Sequence, residues 1–211
     1  MERKDISKAV LKRLPGYLAY LKSLPEDASP YMSATSLANA LGMGEVQVRK
    51  DLAQVSNGGR PKIGYLRESL IEDISQFLGY DNTTDAILVG AGKLGQALLG
   101  YSGFDAYGLN ILAAFDAAPS ELQADGKPVY SMEKMESFCR TNKVLMGIIT
   151  VPVEHAQQVC DQLIACGIKA IWNFAPTHLD VPPNILVQNE NMATSLAVLS
   201  MHLQAQMKDK K

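Results

Sequence analysis

The chain has 211 residues, 47% hydrophobic and 20% charged, with a formal net charge of −2. That is enough apolar chain for one large or two small buried cores, which excludes a disordered polypeptide. No run reaches the roughly 18 apolar residues of a membrane span, and the opening MERKDISKAVLKRL lacks the apolar stretch of a secretory signal, so a cytoplasmic protein without membrane contact is expected.

Cutting after Tyr65 separates two charge regimes: residues 1–65 carry ten Lys or Arg against six Asp or Glu, and the rest carries ten against sixteen. A basic first third suits a polyanionic partner. Residues 6–24 place Val10, Leu14, Leu18 and Leu21 on one helical stripe, with Pro15 restarting the helix in a second piece. Ser33 or Thr35 then caps a short helix carrying Leu37, Ala38 and Leu41, which Gly42 ends. A further helix starts near Gly44 with Val48, Leu52 and Val55 inward, and stops at Ser56-Asn57-Gly58-Gly59. Helix, three-residue turn and helix is the order of a helix-turn-helix. The outward face of its second helix shows Gln47, Lys50 and Gln54 beside Arg49, and the basic segment Gly59 to Tyr65, with Arg60 and Lys62, reads as a β-hairpin wing on phosphates or the minor groove. The plainer alternative is a three-helix cap with solvated charges.

Residues 66–79 form a connecting helix with Leu70, Ile71, Ile74 and Phe77 or Leu78 inward. Beyond residue 85, apolar runs at 86–89, 111–115, 144–151, 170–174 and 185–187 alternate with helical stretches at 93–101 and 154–166, the pattern of a parallel sheet covered on both faces. Gly90-Ala91-Gly92-Lys93-Leu94-Gly95 follows the first of these strands and opens a helix. In such a fingerprint the first glycine turns the chain, the second admits a pyrophosphate to the backbone and the third lets helix and strand pack, with the helix N-terminus facing the anion. Strand two ends Phe115-Asp116, 21 residues beyond Gly95, where a carboxylate accepts hydrogen bonds from an adenosine ribose; it would repel a 2′-phosphate, so NADH and NAD+ are expected rather than the phosphorylated forms. The alternative is a similar sheet with a degenerate site. Thr150-Val151-Pro152 and Asn173-Phe174-Ala175-Pro176 follow later strands, where they either contact the nicotinamide half or only turn the chain.

A dehydrogenase needs a proton-transfer group beside the nicotinamide. His155, His178 and His202 are assigned to surface or interface positions, and no segment remains for a second substrate, so no catalytic residue is expected. Cys139, Cys160 and Cys166 have no CxxC spacing, which argues against zinc and a disulfide framework; Cys160 and Cys166 are expected to pack within one helix. The last helix, from Asn191 to about Met207, aligns Met192, Leu196, Leu199, Leu203 and Met207 beside Ala193, Ala197 and Ser200. So wide an apolar face either closes its own sheet or crosses to a partner subunit. Two-fold operators favour the partner, hence a homodimer.

Taken together, Arg13-Leu14-Pro15 with Tyr17, Val48-Arg49-Lys50-Asp51-Leu52, Gly64-Tyr65, GAGKLG at 90–95, Ala114-Phe115-Asp116, Pro128-Val129-Tyr130, Thr150-Val151-Pro152 with Ala156-Gln157, the run Ala165 to Lys169 and Asn173-Phe174-Ala175-Pro176 closely resemble the Rex family of redox-sensing repressors. The resemblance implies an α/β chain: an N-terminal winged helix-turn-helix with its connecting helix (1–80), a doubly wound Rossmann-like parallel sheet for NAD(H) (81–190) and an exchanged C-terminal helix (191–211). It further implies a homodimer on double-stranded operator DNA, with Ser33, Gln47, Arg49, Lys50, Gln54, Arg60 and Lys62 at the DNA and release when NADH binds. The chain departs from the family in the wing, which lacks aromatics. It departs again at Ala19 and Asn191, which stand where an arginine and an aspartate are usual, beside Tyr101, so a switch through that ion pair is excluded. A small NAD-dependent oxidoreductase and a DNA-binding sensor of another nucleotide such as CoA are the alternative functions. The Rossmann portion is also similar to the CoA-binding domains of succinyl-CoA synthetases.

Overall fold

A computed structural model describes residues 7–119 and 126–208 and divides the chain into two units, Met1–Asn82 and Thr83–Lys211. In the first, α1 (Lys8–Ser23), α2 (Ala34–Leu41), α3 (Glu45–Val55) and α4 (Arg67–Leu78) enclose one core. Residue 6, where the first helix is expected to begin, lies outside the described residues. Leu14, Leu18 and Leu21 are buried, each contributing about 1.5–3 kcal/mol over an exposed position. The expected break at Pro15 is a correction: α1 runs through it unbroken. Proline removes one hydrogen bond, but Leu11, a turn earlier, is exposed while Leu14, Tyr17 and Leu18 sit in the core, and that packing holds the helix together.

Ser33 caps α2 by accepting from the Ser36 N–H at 2.9 Å, and Gly42 ends it at φ +64°, in the left-handed region. The wing also differs from a local hairpin. Arg60 and Gly64 exchange backbone hydrogen bonds of 2.9 Å across a tight turn, and β2 (Tyr65–Leu66) then pairs antiparallel with β1 (Tyr31–Met32), the strand before α2. Gly64 is required there, because φ is +94° and a Cβ would lie 2.4 Å from the Met32 carbonyl oxygen.

The second unit is a six-stranded parallel sheet of β3 (Thr84–Val89), β4 (Leu109–Asp116), β5 (Val129–Ser131), β6 (Met146–Ile149), β7 (Ala170–Asn173) and β8 (Leu186–Asn189). The spatial order is β5-β4-β3-β6-β7-β8; counted from β3 it is 3-2-1-4-5-6, the doubly wound order whose switch point lies between β3 and β6. Alternation along β3 feeds both faces. Ile87 and Val89 join Phe115, Ile149 and Ile171 under α6 (Met135–Asn142) and α7 (Val153–Ala165), whereas Ala86 and Leu88 face α5 (Lys93–Leu99). The strand β5, helix α6 and a 3-10 turn at Ser102–Tyr107 were not expected from the sequence. No described helix is long and apolar enough to cross a membrane.

α8 (Met192–Lys208) has no buried residue, and Met192, Leu196, Leu199, Met201 and Met207 are each 62–70% exposed. It does not close its own sheet. Val198 and Met201 are exposed apolar residues as well, which widens the stripe seen in the sequence.

Candidate functional site

The carboxyl ends of β3 and β6 meet at the switch point. Gly90 donates to the Phe115 carbonyl at 2.8 Å, and Thr150 donates from Oγ1 to the Gly90 carbonyl at 2.7 Å and from its amide to the Val89 carbonyl at 2.9 Å. Gly90 has φ +101°, and a Cβ on it would lie 2.9 Å from the Thr150 backbone. On Gly95 a Cβ would fall 1.9 Å from the Gly90 carbonyl oxygen, the close helix-to-strand approach that requires the third glycine. Gly92 is different: nothing lies within 4 Å of its would-be Cβ, so the loop opens there onto free space.

That space is a cavity of about 500 Å³, a size suited to a small-molecule cofactor. Gly90, Gly92, Asp116, Thr150, Val151 and Pro152 line it, as do Val89, Ala117, Met132, His155, Gln158, Val159 and Gln162. The Asp116 carboxylate accepts from the Ala91 amide at 2.6 Å and the Ala118 amide at 2.9 Å, which ties the end of strand β4 to the glycine loop. Two such bonds hold the carboxylate at the cavity wall and leave lone pairs for a further donor.

The other expected residues lie elsewhere. Phe115 is core, 5.5 Å from Phe138 and 5.9 Å from Tyr130 between ring centroids. Asn173 is fully buried: its amide donates to Ala175, Thr177 and Asn189 and its carbonyl accepts from Ala175, so it shapes its own loop. The Phe174 ring lies 4.8 Å from that of Trp172, tilted by 51°, Ala175 is buried, and neither they nor Pro176 line the cavity. Lys93 and Leu94 are exposed on the first turn of α5, Ala91 is half-buried, and none of the three lines it. His155, Gln158, Val159 and Gln162 went unrecognised in the sequence. Their spacing of three, one and three does put them on one face of α7, which becomes the cavity wall.

In the first unit Asp51 is the buried charge. Its carboxylate receives Arg13 Nε at 2.7 Å, Arg13 Nη2 at 2.9 Å and the Tyr17 hydroxyl at 2.8 Å, fastening α3 to α1. Hydrogen bonds to Asp51 raise the Arg13 pKa further, while burial, then the bond to Asp51, pushes the Tyr17 hydroxyl up to about 12. Asp51 therefore holds the helix while its neighbours face outward. Gln47, Arg49, Lys50 and Gln54 are exposed; Arg49 pairs with Glu45 one turn back, and Gln54 donates to the Lys50 carbonyl. Arg60 and Lys62 are exposed on the wing turn, Lys62 at φ +66°. Ser33 is committed to capping α2.

Cys160 lies inside α7 as expected, but Cys166 is the residue that caps it, and its thiol interacts with Cys139 of α6. Burial pushes the Cys139 and Cys160 thiols up to about 11. Among the described residues no three His, Cys, Asp or Glu side chains form a metal-binding group.

Two family models match the chain: "CoA binding domain" over residues 81–177 and "Putative DNA-binding protein N-terminus" over residues 5–53. Among curated proteins, a redox-sensing transcriptional repressor Rex of Porphyromonas gingivalis is 40% identical over 196 residues, covering 92% of this chain and 90% of its own length. One from Bacteroides fragilis is 38% identical over 204 residues, covering 94% and 93%. Among solved structures, RSP in complex with β-NAD+ and operator DNA matches with a TM-score of 0.88 at 34% identity over 98% of this chain and 96% of that one. RSP in complex with β-NADH matches at 0.86 over 98% of each, again at 34% identity. With such relatives spanning both units, the chain belongs to the Rex family of redox-sensing transcriptional repressors.

Proposed function

We propose that this protein is a cytoplasmic homodimeric repressor that holds double-stranded operator DNA through α3 and the wing and releases it when NADH enters the cavity at the switch point. The observation that carries the reading is the open space above Gly92, in a cavity that the Asp116 carboxylate also lines. A pyrophosphate fits against a backbone with no side chain in its way, and a ribose diol can donate to Asp116. Gly90, Thr150, Val151 and Pro152 complete the walls, while Lys93, Leu94 and Gly95 position the loop. RSP, solved with β-NAD+ and operator DNA and separately with β-NADH, supports the same ligands here.

Gln47, Arg49, Lys50 and Gln54 supply the major-groove face, and Arg60 and Lys62 the phosphate contacts. The domain boundaries we adopt are 1–80, 81–190 and 191–211. α8 crosses to a second copy, since a helix exposing Met192, Leu196, Leu199 and Met207 must be covered. NADH would act by preferring the dimer arrangement that fits the operator poorly, so DNA retention falls by the ratio of its affinities for the two.

The match to a family described as CoA binding favours a second reading, a sensor of an acyl-CoA. Fluorescence anisotropy of a labelled operator, titrated separately with NADH, NAD+ and acetyl-CoA, decides between them. Release by NADH alone is expected. Release by acetyl-CoA alone establishes the second reading, and retention under all three refutes both.

A further inference from the structure

We propose that Gln47 reads the operator as a hydrogen-bond donor only, so that it engages a base acceptor (purine N7, guanine O6 or thymine O4) and not an exocyclic amino group. The inference rests on the DNA-binding reading above and deepens it by naming the kind of base edge that is read.

Hydrogen bonding fixes the orientation of the Gln47 amide. Turned so that both groups are satisfied, its Oε1 accepts from Arg13 Nη1 at 3.1 Å. Arg13 is itself immobilised by its two bonds to Asp51, at 2.7 and 2.9 Å. A guanidinium has donors and no acceptor, and it keeps its charge at every pH at which the protein folds. The amide therefore turns its oxygen to Arg13 and leaves only the Nε2 hydrogens for the groove.

A glutamine reads adenine with both ends, its oxygen accepting from N6 while its nitrogen donates to N7. That contact is closed to Gln47 while Oε1 stays with Arg13, because swinging the oxygen outward would point the amide hydrogens at the guanidinium. Guanine offers N7 and O6, thymine offers O4 and adenine offers N7, whereas cytosine presents only its N4 donor. A donor-only side chain fits the three acceptor edges and gains nothing from the adenine N6 amino group. Arg13, which meets no base in this account, is a positioning residue.

Selection of base pairs alone cannot show which base is touched, so the test deletes single atoms. An operator is first selected by the full-length protein from a randomised duplex library; failure to select any duplex refutes the DNA-binding reading itself. Each position is then replaced in turn by 7-deazaguanine or 7-deazaadenine, which lack N7, by 4-thiothymine, which weakens the O4 acceptor, or by purine, which lacks the adenine N6 amino group. Wild-type protein should lose about tenfold in affinity on deletion of one base acceptor, the scale of a single good base contact. In Gln47→Ala that penalty should vanish, whereas no purine substitution should show a Gln47-dependent penalty. Arg13→Lys, which keeps a charge for Asp51 but lacks the far guanidinium nitrogen that meets Gln47, should gain sensitivity to purine. The proposal is overturned if removing an adenine N6 amino group weakens wild type but not Gln47→Ala, or if no analogue has a Gln47-dependent effect.

Discussion

Replacing Asp51 with alanine separates a helix that is anchored from one that merely rests on its neighbour. The Asp51 side chain is 4% exposed and that of Arg13 22%. Removing the carboxylate leaves the fully buried Tyr17 hydroxyl without a partner, at a cost of about 1–3 kcal/mol, and strips Arg13 of two charge-assisted hydrogen bonds. Arg13 is near enough to the surface to recover part of that loss from water. The sum should lie near the lower end of the about 3–5 kcal/mol seen when one member of a buried pair is deleted, about 3 kcal/mol. For a unit of this size that lowers the melting temperature by roughly 12–24 °C. Scanning calorimetry on the full chain, with hydrogen exchange at α1 and α3 to assign the transition, measures it. Tyr17→Phe leaves the ion pair intact and should cost only about 1 kcal/mol. An Asp51→Ala variant melting within 3 °C of wild type, with DNA retention unchanged, would refute the anchoring role.

Gly92→Val should abolish NADH binding in calorimetric titration without lowering the melting temperature, whereas Gly95→Ala should destabilise the second unit, since its Cβ would meet the Gly90 carbonyl at 1.9 Å. Asp116→Ala should weaken NADH by about 1.5–3 kcal/mol, the worth of hydrogen bonds to a charged group, and weaken NADPH less; equal loss for both in the same titration would place Asp116 away from the ribose. The Cys139 and Cys160 thiols, raised from 9.0 to about 11, favour their protonated form in the folded chain, so the stability they contribute is complete below pH 9 and lost as pH rises through 11. At pH 8 Ellman's reagent should find at most the half-buried Cys166 in folded protein and all three thiols after unfolding.

The sequence reveals those features whose physics is local. Val10, Leu14, Leu18 and Leu21 announce one buried stripe, Gly42 a left-handed cap, and Gly90, Gly92 and Gly95 a loop in which each glycine does a different job. Long-range packing is what it conceals. Asp51 stands among basic residues in the chain, and only the approach of α1 makes it a buried anchor. Asn173, which follows a strand as a ligand contact would, is drawn into its own loop by four hydrogen bonds. His155 is exposed, as expected, but the periodicity of α7 says only which positions share a face, not that this face walls the cavity. β5 is three residues long and too short for alternation to register.

The switch we propose cannot use the ion pair that the family resemblance implies. Ala19 is exposed, and Asn191 accepts the Thr194 amide at 3.0 Å, which makes it a cap for α8 rather than a charge partner. What distinguishes the two ligands is the nicotinamide ring, positive in NAD+ and neutral in NADH. A cation is penalised by apolar surroundings unless an anion accompanies it. α8 begins with Met192 and has no acidic residue in its first turn. In the dimer we propose, a partner helix of that character closing on the nicotinamide disfavours the charged ring by desolvation alone. The resulting difference in affinity between two dimer arrangements is all that linkage between redox ligand and DNA requires. Salt screens an ion pair between exposed charges but hardly touches a desolvation cost. In that arrangement redox discrimination rests on a contribution that ionic strength leaves in place, while the phosphate contacts we propose weaken steeply as salt rises.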